Sequence, residues 1–189
     1  ADMTLVGLAG LSLGQVFVKG LEGAEEAGAC IVQKLMEASD NDLDNAHAKL
    51  LCLGLGLLFL GKGAQADAMI EACKTIEHKI GKFAINTLSS CAYAGSGNVL
   101  KVQEMLHECA EHIEEGENAA HQAVAAIGVA LITMGEEVGS EMALRAFDHL
   151  LHYCELPIKR AVPLALALSN VSTADYTIID QLSRLSHQE

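Results

Sequence analysis

The chain is 189 residues long, 51% hydrophobic and 20% charged, which excludes a disordered segment and suffices for one globular unit burying roughly 70% of its unfolded surface. Aromatic residues make up only 4%, Trp is absent and there are two prolines; the vocabulary of a β-sandwich is missing and long helices are predicted. Twelve Lys and Arg against 25 Asp and Glu give a formal charge of -13, which opposes binding to nucleic acid or anionic lipid and favours a basic protein partner.

In chain order, the stretch from Met3 to Leu13 lacks a basic flank and is broken by Gly7 and Gly10. It does not form a signal core, and the chain reads as an excised fragment. Leu11–Val18 is the first of five glycine-punctuated or small-residue apolar blocks. The others are Leu53–Gly61, Ser90–Gly95, Ile127–Gly135 and Leu164–Val171. Matching Gly14, Gly56, Ser90, Ala130 and Ala167 gives steps of 42, 34, 40 and 37 residues, the period of a helix-pair array whose units bury their apolar faces on one another. Each block is apolar nearly all round and carries Gly, Ala or Ser where a neighbouring helix must come close, so the blocks are predicted as a buried inner layer. The longest apolar run, Leu50–Leu60, falls short of the ~20 residues that span a bilayer, and no membrane helix is expected.

Between the blocks lie amphipathic helices, predicted as an outer wall. Ala24, Ala27, Ile31, Leu35 and Ala38 form one stripe against Glu26, Gln33 and Glu37. Ala66, Met69, Ile70 and Cys73 do so against Asp67, Glu71 and Lys74. Val99, Val102, Leu106, Cys109 and Ile113 lie opposite Lys101, Gln103, Glu104, His107, Glu108 and Glu111. Three acidic outer helices are thus expected side by side. Turns are predicted at Gly20–Gly23, Ser39–Asp44, Gly61–Gly63, Gly95–Asn98, Gly116–Asn118, Gly135–Gly139, Glu155–Pro157 and Ser172–Asp175. None is long enough for a domain linker, so residues 1–189 are read as a single domain of about five helix pairs. Asp40, Asp42 and Asp44 suit the N-terminus of an inner helix better than a calcium loop, because the stretch lacks the Gly and distal Glu of an EF-hand.

No reaction centre or cofactor site emerges. His107 and His112 are five apart and diverge by ~140° around a helix, whereas the zinc-protease motif needs four. His149 and His152 lack a third ligand nearby. Gly54-Leu-Gly56 and Gly61-Lys-Gly63 follow no strand and lack GK[ST], so they do not cradle phosphate. Glu136 and Glu137 point ~100° apart, as solvated charges do. Cys30, Cys52, Cys73, Cys91, Cys109 and Cys154 contain no CxxC and read as reduced thiols rather than a disulfide framework.

The segments Cys91–His107, Met134–Arg145 and Arg160–Leu168 resemble the family formed by the largest non-ATPase subunit of the proteasome regulatory-particle base, over essentially the whole chain. The resemblance implies an all-α solenoid of proteasome/cyclosome repeats, an arc of a closed toroid, working as a non-catalytic scaffold and receptor in cytoplasm and nucleus. It implies as partners ubiquitin and the ubiquitin-like domains of shuttle factors, the proteasomal ATPase ring subunits and a ubiquitin-specific deubiquitinase. It places the receptor surface at Glu26, Gln33 and Glu37, with Gln33 where an acid is expected. It also leaves only Ile113–Asn118 where relatives carry a long charged insertion. Independently, residues 26, 33 and 37 fall within ~40° on a helical wheel and share one outward face. The apolar, Lys- and Arg-rimmed face of ubiquitin, itself implied by the resemblance, would complement these acids beside Cys30, with Asp67, Glu71 and Glu104 as rim contacts. The alternative is a purely structural ring segment that positions other subunits.

Overall fold

The computed structural model describes residues 2–18, 23–112, 119–173 and 175–187. Eleven α-helices and no strand occur among them: α1 (Met3–Val16), α2 (Ala24–Glu37), α3 (Asp40–Leu43), α4 (Ala48–Leu58), α5 (Asp67–Lys74), α6 (Ile80–Ala92), α7 (Val99–Ala110), α8 (Ala120–Thr133), α9 (Glu137–Tyr153), α10 (Leu156–Ser169) and α11 (Tyr176–Ser186). A 3-10 turn, Gly63–Ala66, leads into α5. This is an all-α helical-repeat solenoid. The inner helices α1, α4, α6, α8 and α10 pack in a row, each on the next.

The small residues of the inner blocks set the spacing of that row. On α1 the buried residues are Met3 and three glycines, Gly7, Gly10 and Gly14. Backbone there lies on backbone: a Cβ built on Gly14 would stand 2.6 Å from the Cα of Gly54 on α4. A Cβ on Gly56 would stand 2.9 Å from the Cys91 sulfur on α6, and one on Gly128 of α8 would run into the Ser90 hydroxyl. Gly14 therefore meets Gly54 rather than the repeat-matched Gly56. Between α8 and α10 alanine suffices, with Ala126, Ala130, Ala161 and Ala165 buried. Polar ties cross the row as well: the Asn86 amide donates to the carbonyl of His121 at 3.0 Å.

The helix pairs are staggered relative to the sequence reading. Each described outer helix that has a following inner helix seats on it: α2 on α4, α5 on α6, α7 on α8 and α9 on α10. Residue-level corrections follow from this. On α7 the buried positions are Met105 and Cys109; Val99 is exposed, Val102 and Leu106 are half-buried, and Ile113 lies outside the described residues. Leaning toward α8 rotates the predicted stripe by about one position. On α2 the stripe widens to include Gly28 and Val32, with Ala27 and Ala38 only half-buried.

Several boundaries also move. Helix α1 starts at Met3, well before Leu11. Within Ser39–Asp44 the chain forms the short helix α3, capped by the Ser39 side chain, so Asp40 and Asp42 occupy that helix and do not cap α4, whose N-cap is His47. Gly139 lies inside α9, and Pro157 sits in the first turn of α10, where its missing N–H costs nothing. A turn before α6, around Thr75–Lys79, was not anticipated. Of the predicted turns, Gly116–Asn118 and most of Gly20–Gly23 lie outside the described residues, as does the whole of the short Ile113–Asn118 loop.

One buried polar side chain fixes the end of α7. Gln122 on α8 is fully buried, and its Nε2 donates to the carbonyls of Glu108 (2.9 Å) and Glu111 (2.7 Å). It thereby satisfies carbonyls that the helix terminus leaves open. Replacing Gln122 by leucine removes both bonds and strands two acceptors, which predicts a loss of about 1–3 kcal/mol, read as a lower denaturant midpoint in urea unfolding.

Candidate functional site: exposed faces of the outer helices

On α2, Glu26, Cys30, Gln33 and Glu37 are all exposed, while Ile31, Val32 and Leu35 are buried on the opposite side. The spacing of four, three and four residues puts the exposed set on one face. Glu25 and Glu26 sit in the first turn, where the positive end of the helix dipole favours them. Neither makes an ion pair with a described residue. At the other end the Glu37 carboxylate accepts from Lys34 Nζ at 2.8 Å and Gln33 Nε2 at 2.6 Å. These bonds, Lys34 first, hold the Glu37 carboxyl below its ordinary range and raise the Lys34 ammonium above its own. Gln33, where an acid was expected, acts as a donor that orients Glu37. Met36, half exposed beside this face, was missed in the sequence; as one apolar side chain among polar neighbours it gave no periodic signal.

Asp67, Glu71 and Glu104 come together elsewhere, in a groove between α5 and α7 floored by Ile85, Asn86 and Ser89 of α6. Its acids are matched by cations. Glu71 pairs with Lys74 at 2.6 Å and Glu104 with Lys101 at 2.9 Å, and Lys82 reaches Glu111 at 2.8 Å. The lysines that the sequence places on these helices thus pair with their acids: α2 keeps a free acidic end, whereas the α5–α7 groove carries mixed charge. Tyr93, at the end of α6, organises the groove. Its hydroxyl donates to Asp67 at 2.9 Å and its ring lies 5.4 Å from the Lys101 ammonium. Burial, then the bond to Asp67, pushes the phenol up to about 12. Sequence reasoning did not assign Tyr93 a role, because its partner lies 26 positions away.

The cysteines divide by depth. Cys30 is exposed, Cys52, Cys73 and Cys109 are buried, and Cys91 and Cys154 are half-buried. Burial pushes the Cys52 and Cys109 thiols up to about 12 and those of Cys73 and Cys91 to about 11. Among the described residues no three His, Cys, Asp or Glu converge on a common point, and no helix is long and apolar enough to cross a membrane.

Fold and surface together define a class of protein, a helical-repeat array that presents side chains on its outer helices. Comparison with curated proteins gives the family. The chain is 44% identical over 98% of its length to the 26S proteasome regulatory subunit rpn-1 of Neurospora crassa and 46% identical over 98% to the 26S proteasome non-ATPase regulatory subunit 2 of Dictyostelium discoideum. It is 48% identical over 86% to homolog A of the latter subunit in Arabidopsis thaliana. No protein-family model matches. The chain belongs to the family of the 26S proteasome non-ATPase regulatory subunit 2, as a segment: it spans about a fifth of the length of the relatives it matches.

Proposed function

We propose that the chain is a scaffold-and-receptor segment of the proteasome regulatory particle, a closed-toroid arc that binds ubiquitin and the ubiquitin-like domains of shuttle factors on the outer face of α2. The observation that carries this reading is the joint exposure of Glu26, Cys30, Gln33 and Glu37 on one helix face whose reverse side is buried in the array. Unpaired Glu26 and the polarised Glu37 supply negative charge at both ends of that face, and Cys30 and Met36 supply apolar atoms between and beside them. An apolar ligand face rimmed by Lys and Arg fits this pattern, with charge steering its approach. So small a surface binds in the micromolar range and loses affinity with salt. The family's names support the scaffold role, its relatives being called regulatory and non-ATPase subunits. The same reading includes docking of ATPase ring subunits and of a ubiquitin-specific deubiquitinase on other faces of the whole subunit, in cytoplasm and nucleus.

A structural reading is favoured for one part of the predicted site. Glu71 and Glu104 are each paired within their own helix and Asp67 accepts from Tyr93 at the end of α6, which suits them to holding local structure more than to a ligand's rim. Titrating isotope-labelled ubiquitin with the 189-residue chain separates the two. The receptor reading expects shifts on ubiquitin's apolar and basic face, weakened at least about tenfold by E26K/E37K with the helical signal unchanged. Absence of shifts up to millimolar concentration, or indifference to E26K/E37K, overturns it in favour of the structural segment.

A further inference from the structure

Away from α2, the end of the array where inner helices stop and outer helices begin carries an apolar ridge. Val99 and Leu100 open α7, exposed by 58% and 69%; Val138 and Met142 lie on the first turns of α9, exposed by 71% and 60%. Met134, in the turn between α8 and α9, is also exposed. The two turns are locked together. Gly95 and Gly97 donate their N–H groups to the carbonyls of Leu131 (2.8 Å) and Ile132 (2.9 Å). Both glycines have φ values of +60 to +70, specifically +69 and +62, which a side chain would resist. Gly97 lies so close to Glu136 that an added Cβ would stand 2.7 Å from its Cγ. The turns that lead into α7 and α9 are thus fixed to one another.

Charge on the ridge identifies the occupant. Glu136, Glu137 and Glu141 are exposed beside Val138 and Met142 and make no ion pair with a described residue. Arg145, one turn on, is the nearest cation of α9, and Lys101 of α7 is already paired with Glu104. Exposed aliphatic groups flanked by unpaired carboxylates suit a ligand that is apolar in the middle and cationic at its edges. An anionic bilayer is repelled by this charge. A second copy docked about a two-fold axis would bring the same three acids face to face. Because the turns leading into α7 and α9 are tied by the Gly95 and Gly97 bonds, an elongated ligand such as a helix laid across them would reach the apolar side chains of both units.

We propose that this ridge, formed by Val99, Leu100, Met134, Val138 and Met142 with Glu136, Glu137 and Glu141, docks a basic amphipathic helix of a partner protein, at a place separate from the acidic face of α2.

The test uses a fluorescein-labelled synthetic helix of about 18 residues, with leucines along one face and lysines beside them, and a control in which glutamates replace the lysines. Anisotropy with the 189-residue chain is expected to show saturable binding in the tens of micromolar for the lysine peptide and none for the glutamate peptide. Both V138S/M142S and E136K/E137K weaken binding at least about tenfold, whereas E26K/E37K leaves it unchanged. All altered side chains are exposed, and unchanged circular dichroism and melting confirm that the variants fold. Equal binding of both peptides, indifference to the ridge variants, or loss with E26K/E37K alone overturns the proposal. So does absence of peptide binding accompanied by self-association or by sedimentation with phosphatidylserine vesicles that V138S/M142S abolishes, since the ridge then serves a second copy or a membrane.

Discussion

Replacing Gly54 by alanine lowers the melting temperature of the chain, although alanine is the better helix former by about 1 kcal/mol. Gly54 lies in α4 with the backbone of α1 directly over it: an added Cβ would run into the carbonyl oxygen of Gly10 and stand 2.8 Å from its carbonyl carbon. A side chain in that place could swing aside, but a helix backbone cannot. The clash is relieved only by moving α1 as a body, which separates Gly7, Gly10 and Gly14 from α4 at once. Overpacking of this kind costs about 1–3 kcal/mol, and with backbone as the obstacle the upper part of that range applies. The net loss of about 1–2 kcal/mol corresponds to roughly 2–8 °C for a chain of this size. Differential scanning calorimetry reads the sign directly. An alanine variant as stable as the parent would show that α1 does not seat on α4 through its glycines.

The largest single loss is expected at Phe147. It is fully buried on α9 and belongs to the common core, so Phe147→Ala removes most of an aromatic side chain from a place the surrounding helices cannot collapse into. Substitutions of this type cost about 3–5 kcal/mol, or roughly 6–20 °C in melting temperature. On the opposite face of the same helix, Met142→Ser is expected to stay within about 0.5 kcal/mol, as exposed positions do. Urea unfolding of the two variants determines which face of α9 is inside. Comparable losses at both positions would mean that Met142 is covered and that the ridge is not open to a partner.

What could be read from the sequence was whatever local geometry decides. Inner helices were recognisable because close approach requires residues without bulk, and Gly10, Gly14, Gly54 and Gly128 display that need whatever lies opposite. The shared face of Glu26, Gln33 and Glu37 followed from helical spacing alone. Non-local choices were hidden. Val99 and Met105 both satisfy an apolar period on α7, and only the seating on α8, through Cys109 and the Gln122 amide, selects Met105 for burial. The pairing of Lys74 with Glu71 and of Lys101 with Glu104 was visible as a three-residue spacing, yet it changes the character of the groove only once Tyr93 brings Asp67 and Lys101 to one place. The ridge on α7 and α9 was illegible, because exposed valine and methionine look the same in a sequence as buried ones.

The stagger of the array imposes an order on its making. Because α2 rests on α4, α5 on α6 and α7 on α8, no outer rod has its seat until the ribosome has delivered the next inner one. Chains emerge from the amino end and domains form as they emerge, so the acid-bearing face of α2 takes its final posture only after α4 has left the exit tunnel. Until then each newest amphipathic rod carries its oily side uncovered, and a pause in translation between an outer rod and its successor is the moment when the nascent polypeptide most needs a chaperone.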